Sequence, residues 1–460
     1  MPRTSHARFA VMKLPTERDS AQRSAPLSST LLQIDASGKR ICFWGAPSDA
    51  SLPSASPNRQ LNATGGNAGN IFIGHGLYEN VVAKEKAYHP GFQVVHTDEF
   101  DEKYDALFIP ASNFVNPTAN LEAEYEYFRR TKVSLICFGL GSQFLPGSEI
   151  VLTPGTDRFL RLVSERSGSI GVRGAFTAEI LWDLGIRNIS IIGCPSLLSM
   201  TREALQRLDR TRAGLARIGV NYSTNVRFHS LNPDAMAATE NSLFRRAMEE
   251  NSYYILQNET PEVDILHRKI SNPREEETEH TRDTLRMVWE TFGTPLTYSQ
   301  FRDYVYDRML IFFSVSSWVD CMSTMTASVG TRFHGNVAAL LAGVRGLFLV
   351  HDMRTLELCE FYALPHLVLD RAYSGEEVLE CLTSCDYASF IRRLAPVRTE
   401  WKLFAERNGL RVVGDVYDVG ANRAVDSSGH CEMDPKSRTD DFVGDWLHSI
   451  VEDRADDDKD

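Results

Sequence analysis

The stretch MTASVGTRFHGNVAALLAGVRGLFLVH, residues 325–351, contains the repeating unit from which the fold is built. Its first run is strand-like, TRFHG predicts a turn, NVAALLAGV predicts an apolar helix, and RGLFLVH predicts a second strand. Strands that are apolar on both faces and separated by helices are typical of a parallel sheet covered by helices on both sides. The stretch therefore indicates an α/β fold.

The same alternation extends through most of the chain. Before an Arg-rich segment, TREALQRLDRTRAG, the predicted strands are RICFWGAP, YDALFIPAS, KVSLICFGLGSQ, SGSIGVRG and NISIIGCPSLL. After it, the alternation restarts with RIGVNYS and SYYILQNE and finishes with a helix that Pro396 is expected to kink or split. We predict two Rossmann-like domains, residues 36–205 and 206–410, that face each other across a cleft.

The two ends of the chain lack this pattern. Residues 1–35 are rich in Ser, Arg and Pro without the continuous apolar segment of a signal peptide, which predicts a flexible N-terminal arm. Residues 411–460 predict an acidic C-terminal tail that is partly disordered or forms one short helix, FVGDWLHSIVEDR. Since no apolar run approaches the ~20 residues that span a bilayer, we expect a cytoplasmic protein without a membrane span.

Charge and cysteine content exclude several classes of partner. The formal net charge of -12, from 49 Lys and Arg against 61 Asp and Glu, argues against nucleic acid and against an anionic membrane surface. Any anionic ligand must therefore be held by a local site. The eight cysteines form no CxxC motif, which suits reduced cytosolic thiols and predicts no structural zinc.

Glycine-rich and polar loops follow the predicted strands, where ligands of open α/β sheets bind. In TGGNAGNIFIG, Gly66 and Gly69 allow a close backbone approach to an anion at a helix start. Asn67 and Asn70 can hydrogen-bond a sugar, a phosphate or the turn itself, and the turn is favoured for such a loop in isolation. In FGLGSQ, residues 138–143, the polar side chains of Ser142 and Gln143 lie at the end of a predicted strand. They serve either a ligand or a plain strand-to-helix connection, and neither alternative is favoured.

Three cationic side chains also lie at helix starts after predicted strands: Arg173, Arg332 and His334. Cations there are electrostatically unfavourable unless an anion compensates, because a helix N-terminus already carries partial positive charge. In an extended turn Arg332 and His334 point to one side, with Phe333 opposite. The alternatives are a structural salt bridge for Arg173 and a turn-capping role for His334.

The order GGNAGN, FGLGSQ, GVRGAFTAEILWDLGI, IIGCPSLL and VGTRFHGNVAALLAGVRGLFLVHDMRTLELCEFYALP resembles the polysaccharide pyruvyl transferase family, over about residues 60–370. The resemblance implies a glycosyltransferase-B-like fold and transfer of a pyruvyl group from phosphoenolpyruvate onto two sugar hydroxyls, with formation of a cyclic ketal and release of phosphate. The implied acceptor is a lipid-linked or nucleotide-linked unit of an exopolysaccharide or cell-wall glycan precursor. This chain departs from the family pattern at Gly174 and Asn70, where the family often has Asp.

The chemistry of phosphoenolpyruvate accounts for these residue types. Its carboxylate and phosphate need at least two cationic donors, for which Arg173 and Arg332 are the candidates, with Ser142 and Gln143 beside the donor. His334 is the candidate general acid, and the Gly66–Asn70 loop is the candidate acceptor or phosphate loop. No DxD-type metal motif lies at the end of a predicted strand, and the acidic stretch DEFDEKYD, which precedes a strand, is interpreted as a solvated turn. We therefore expect transfer without a metal ion or a cofactor.

Two other functions stay open at the level of sequence. The same architecture hosts nucleotide-sugar-dependent glycosyltransferases, and fold alone does not fix function. A catalytically silent, glycan-binding family member is the second alternative, although the Arg-x-His pair disfavours it. For either enzyme, peripheral association with a glycan assembly complex and a homo-oligomer are both compatible with the sequence.

Overall fold

The computed structural model describes residues 38–51, 57–89, 98–222, 229–250, 252–258, 263, 279–294 and 296–412. The arm predicted at 1–35 lies outside these ranges, as does the tail beyond Val412 with its predicted helix. Within the described ranges, no helix combines the length and apolar character needed to cross a membrane.

The first half of the chain forms a parallel sheet with strand order β3-β1-β4-β5, and a parallel pair, β6-β7, beside it. A backbone hydrogen bond of 2.9 Å from Arg173 N to Leu140 O joins this pair to the end of β5. The strands are β1 (Arg40–Trp44), β2 (Val81–Val82), β3 (Glu85–His89), β4 (Ala106–Pro110), β5 (Ser134–Phe138), β6 (Ile170–Val172) and β7 (Ile189–Ile191). The helices are α1 (Pro57–Ala63), α2 (Ile71–Asn80), α3 (Asp98–Lys103), α4 (Glu122–Phe128), α5 (Pro154–Arg166) and α6 (Ala175–Asp183), with 3-10 turns at Ala68–Asn70 and Pro195–Ser199.

The second half forms a six-stranded sheet, also parallel, with strand order β10-β9-β8-β11-β12-β13. Its strands are β8 (Ile218–Asn221), β9 (Tyr253–Leu256), β10 (Met309–Ile311), β11 (Ala327–Gly330), β12 (Gly346–Val350) and β13 (His366–Val368). The helices are α7 (Arg202–Arg210), α8 (Pro233–Glu249), α9 (Glu279–Phe292), α10 (Tyr298–Arg308), α11 (Val315–Ser323), α12 (Phe333–Leu341), α13 (Met353–Tyr362), α14 (Gly375–Ser384) and α15 (Ala388–Arg407).

The stretch 325–351 folds as the unit β11–α12–β12. Every residue of β8, β11 and β12 is buried, because these strands have neighbours on both sides and helices on the faces. The two parallel sheets confirm the predicted α/β fold.

The end of the described chain returns to the first half of the fold. After α15, the side chain of Asn408 accepts hydrogen bonds from Gly168 N at 3.1 Å and Ser169 N at 3.3 Å. β14 (Arg411–Val412) then pairs antiparallel with β2. The last helix therefore connects the two halves of the fold.

The structure corrects one local prediction and narrows a second. The DEFDEKYD stretch is not a solvated turn: it contains α3, which the buried side chains of Phe100 and Tyr104 hold against the core. Of the kink or split expected at Pro396, the split does not occur, because α15 is one helix from Ala388 to Arg407. Pro396 is exposed, so the carbonyl group that loses its N–H partner four residues earlier can be solvated instead.

Candidate active site

The glycine-rich loop at Gly66–Asn70 is held by its own asparagines. Gly66 has a φ of 77°, in the left-handed region that favours glycine. The side chain of Asn67 accepts a hydrogen bond from Gly69 N at 2.8 Å, and Asn70 Nδ2 donates to Thr64 O at 2.9 Å. Both amides thus take the turn-stabilising role that the sequence left open beside ligand binding.

Gly69 brings this loop against the start of α12. A Cβ atom at Gly69 would lie 2.4 Å from Gln257 Oε1 and 2.9 Å from His334 Cβ. These distances are shorter than van der Waals contact, so only glycine fits. The structure therefore places the loop from the first sheet directly beside His334 from the second.

The FGLGSQ loop has a similar close approach. A Cβ atom at Gly141 would lie 2.8 Å from Arg173 Cδ and 3.4 Å from Arg354 Cγ. Ser142 is fully buried, and its hydroxyl accepts a hydrogen bond from Phe144 N at 3.1 Å, within the loop itself. Two arginines thus cover the loop at Gly141.

Gln143 connects this loop to the second sheet. Its Nε2 donates to Asp352 Oδ2 at 3.4 Å, and its Oε1 accepts a hydrogen bond from Asn113. Asp352 is fully buried at the start of α13 and also accepts from Thr355 N at 2.8 Å. Of the two polar residues predicted beside the donor, Gln143 lies nearer to charged groups, whereas Ser142 holds the loop.

Arg173 is buried at the end of β6, with 3% of its surface exposed. Its Nε donates to Gly139 O at 2.8 Å, which fixes the guanidinium over the FGLGSQ loop. Burial lowers the pKa of Arg173, while the nearby carboxylates of Glu357 and Asp352 oppose this effect. The remaining guanidinium nitrogens are the groups with which Arg173 could bind an anion.

His334 contacts a thiol and an aromatic ring. Its Nε2 is 3.4 Å from Cys194 Sγ, which also accepts a hydrogen bond from Ser196 Oγ at 3.1 Å. Its ring stacks on Phe72, with ring centroids 6.4 Å apart. Burial, followed by the charges of Arg173 and Arg354, holds the pKa of His334 well below its ordinary value. The imidazole is therefore neutral at neutral pH in the unliganded protein.

Arg332 takes a different direction from His334. Its Nε donates to Tyr222 O at 3.2 Å, and its guanidinium also donates to the side chain of Asn258. The expected common direction is not observed, because α12 begins at Phe333 and the helical backbone rotates His334 away from the extended Arg332. The two side chains therefore contact different parts of the site.

The charge of Arg332 acts on a second buried histidine of the site, His351. This histidine is 1% exposed, and burial lowers its pKa to about 4, with the charges of Arg354 and Arg332 acting in the same direction. Among the described residues, neither of its ring nitrogens has a hydrogen-bond partner. The charges of Arg332 and Arg354 thus act on the same buried imidazole.

Arg354 is a candidate site residue that the sequence reasoning missed. It lies in the first turn of α13, and its Nη2 is 3.3 Å from Asp352 Oδ2. The charges of Arg354 and Arg173 both lower the pKa of His334, so the three groups are close together. The signal was present in LFLVHDMRT, where an arginine follows a buried strand and starts a helix, as Arg173 does.

A carboxylate from the second half of the fold caps α6. Glu357 on α13 accepts hydrogen bonds from Thr177 Oγ1 at 2.8 Å and from Thr177 N at 3.1 Å. Thr177 N is the donor that an N-cap Asp at residue 174 would satisfy. A Cβ atom at Gly174 would lie 2.6 Å from Glu357 Cβ, so the absence of a side chain makes room for Glu357. Glu357 therefore supplies from α13 the acid that is missing at residue 174.

This arrangement predicts that the carboxylate that caps α6 can come either from residue 357 or from residue 174. Glu357→Ala should lower the free energy of unfolding by about 2 kcal/mol, because it removes a helix cap and leaves buried Thr177 donors unsatisfied. Gly174→Asp alone should also destabilise, since its side chain would collide with Glu357. The double variant should recover most of the loss in urea unfolding, because residue 174 has extended backbone, with φ -164°, that Asp adopts readily. A double variant no more stable than either single variant would contradict this exchange.

Among the described residues, no three His, Cys, Asp or Glu side chains are grouped as ligands for a metal ion. The cationic side chains described above instead favour an anionic ligand. The site thus combines two guanidinium groups, Arg173 and Arg354, with a neutral imidazole, and Arg332 lies nearby.

Comparison with known proteins gives one family and several distant structures. No curated protein sequence is significantly similar to this chain. The UDP-GlcNAc 2-epimerase of Methanocaldococcus jannaschii, in complex with UDP-GlcNAc and UDP, has a TM-score of 0.34 and 10% identity, covering 75% of this chain and 82% of that one. The S. aureus MnaA–UDP structure has a TM-score of 0.37 and 10% identity, covering 77% and 90%. Similarity at this level carries no inference about architecture or ligand.

The family comparison is more extensive. The sequence model described as polysaccharide pyruvyl transferase matches residues 35–353, which is more than half of the chain and includes Arg173, Arg332 and His334. It confirms the resemblance found from the order of the loop motifs. The chain belongs to the polysaccharide pyruvyl transferase family.

Proposed function

We propose that this protein transfers the pyruvyl group of phosphoenolpyruvate onto two hydroxyls of a sugar in an exopolysaccharide or cell-wall glycan precursor, forming a cyclic ketal and releasing phosphate. The observation that carries the proposal is that Arg173 and Arg354 meet at Gly141, with the charges of both acting on the imidazole of His334. Family membership supports a pyruvyl transferase. The proposal adds the donor, the ketal product and a cytoplasmic reaction that needs no metal ion or cofactor.

The cations of the site suit a ligand with two anionic groups. Arg173 and Arg354 can hold one of them near His334, and Arg332 can hold the other, since a guanidinium group forks onto a carboxylate or a phosphate. Although burial acts in the opposite direction, Arg354, His351 and Thr355 hold the pKa of Asp352 well below its usual range. Asp352 thus offsets only part of the positive charge of the arginines, and the remaining positive charge can attract an anion.

The chemistry needs one proton at carbon and two new carbon–oxygen bonds. Protonation of the methylene carbon by His334 makes it a methyl group and leaves cationic character on the adjacent carbon, which a sugar hydroxyl attacks. The bond from this carbon to the phosphate oxygen then breaks, and the second hydroxyl closes the ketal. The two hydroxyl protons finally reside on the new methyl group, through His334, and on the released phosphate. The guanidinium groups stabilise the phosphate as it leaves.

Because His334 is neutral in the unliganded protein, it must gain a proton before it can act as an acid. Binding of phosphoenolpyruvate would offset the charges of Arg173 and Arg354 and so raise the pKa of His334. We expect binding at pH 7 to take up part of one proton in the wild type and less in His334→Gln. Calorimetry in two buffers of different ionisation enthalpy measures this difference. Equal proton uptake in the two proteins would show that His334 does not receive the proton.

The test of the function is phosphate release from phosphoenolpyruvate in the presence of lipid-linked and nucleotide-linked sugars, with chelator present. Release that depends on one acceptor, with a ketal in the product, is the expected result. Release of nucleotide from a nucleotide-sugar without consumption of phosphoenolpyruvate would instead identify a glycosyltransferase. Sugar binding without either reaction would identify a silent, glycan-binding member.

A further inference from the structure

A cavity with a volume of about 280 Å³ lies at the carboxyl ends of β1 and β4. Trp44 and Pro110, which are the last residues of these strands, are part of its wall. Ligands of open parallel sheets bind at this edge. Its volume lies just below the roughly 300–1,000 Å³ range of ligand pockets, which suits one sugar ring better than a nucleotide.

The lining combines aromatic and planar polar side chains. Trp44 and Phe114 provide apolar wall, and Asn70, Ser112 and Glu124 provide polar groups. Sugars present hydroxyl groups around the ring and patches of C–H on its faces, so they need both kinds of surface. The cavity therefore has the composition of a carbohydrate site.

Two of the polar groups are available for a ligand. Asn70 uses Nδ2 for Thr64 O, while its Oδ1 has no hydrogen-bond partner among the described residues. Glu124, on α4, is only partly exposed, and no basic side chain in the described ranges forms an ion pair with it. A carboxylate and an amide oxygen can each accept a hydrogen bond from a sugar hydroxyl.

The cavity adjoins the candidate active site through the glycine-rich loop. Asn70 follows Gly69, at which a Cβ atom would lie 2.9 Å from His334 Cβ. One side of the loop thus faces the cavity, and its neighbouring residue touches the proposed acid. A sugar unit held here would lie close to the reacting part of the acceptor.

We propose that this cavity binds one monosaccharide unit of the acceptor glycan, with Glu124 and Asn70 accepting hydrogen bonds from its hydroxyls and Trp44 and Phe114 packing on its C–H face. The assignment of this unit to the acceptor rests on the proposed function. Binding of the sugar itself does not, and the two are tested separately.

The test uses the full-length protein and saturation-transfer NMR with the methyl glycosides of glucose, galactose, mannose and N-acetylglucosamine, at about 10 mM to detect millimolar affinity. We expect at least one glycoside to bind. Ser112→Phe should abolish its signal by filling the cavity, and Glu124→Gln should weaken binding roughly tenfold by removing a charge-assisted hydrogen bond. The matched control is Glu126→Gln on the same helix, whose side chain pairs with Arg129 and should leave binding unchanged.

The outcomes separate this proposal from the proposed function. No signal from any of the four glycosides, or an equal signal in Ser112→Phe, Glu124→Gln and the wild type, would overturn the sugar site. Glycoside binding that depends on these residues, in a protein that does not consume phosphoenolpyruvate, would keep the site and remove only its role in transfer. Affinity for phosphoenolpyruvate should be unchanged in all three variants.

Discussion

Replacing His334 with Ala should lower turnover with phosphoenolpyruvate and acceptor by at least about 10², which is the lower limit for loss of a general acid. The protein should remain folded, because the imidazole is neutral and no ion pair is lost with it. The substitution removes only the ring's contacts with Phe72 and Cys194. Phosphate release at saturating substrates, together with circular dichroism, measures the two effects. His366→Ala is the matched control, since that imidazole is exposed at the start of β13.

The pH dependence of activity should show that His334 acts in its protonated form. His334 must be protonated to act as an acid, so activity should fall as pH rises through its pKa. In the free protein this pKa is lowered by burial and by Arg173 and Arg354, so kcat/KM should fall already below neutral pH. In the complex the anion raises the pKa, so kcat should fall at a higher pH. Near-normal transfer by a folded His334→Ala protein would remove this residue from the mechanism.

Much of the fold could be predicted because burial on both faces leaves a local signal. The strands β1, β4, β5, β8, β11 and β12 are short apolar runs with loop residues after them, and each was predicted. The edge strands β10 and β13 were not predicted, and both are only partly buried. The acidic helix α3 was mistaken for a turn because most of its residues are charged, although Phe100 within it and Tyr104 directly after it are buried.

The candidate site could be predicted only in part. Strand-end position pointed to Arg173 and His334, and the structure places them close to each other with the glycine-rich loop beside them. The roles of Arg354 and Glu357 depend on contacts between elements far apart in sequence, such as the bond from Thr177 to Glu357 across 180 residues. No local periodicity encodes such a contact, so only the folded chain reveals it.

Arg354→Ala should raise the Kd for phosphoenolpyruvate by about 10- to 100-fold, the loss expected for a charge-assisted hydrogen bond to a ligand anion. Arg173→Ala should have a similar effect on the donor, while the KM for the acceptor should change little in both variants. Arg354 is the cleaner test, because it is partly exposed whereas Arg173 is buried and hydrogen-bonded to Gly139 O. Titration calorimetry with phosphoenolpyruvate alone measures the donor affinity, and Arg161→Ala, an exposed arginine on α5, is the control.

The same variant also tests whether Arg354 acts on His334. Removing one of the two neighbouring positive charges should raise the pKa of His334 in the free protein, so the fall of kcat/KM with pH should move to higher pH in Arg354→Ala. Arg354→Lys should keep the charge, and therefore the wild-type pH profile, while losing the forked contact and part of the donor affinity. If donor affinity is unchanged in both Arg354→Ala and Arg173→Ala, the anion does not bind at these two arginines. Arg332 and His351 would then be the next candidates for the anion site. If affinity falls but the pH profile does not move, Arg354 binds the donor without controlling the proton on His334.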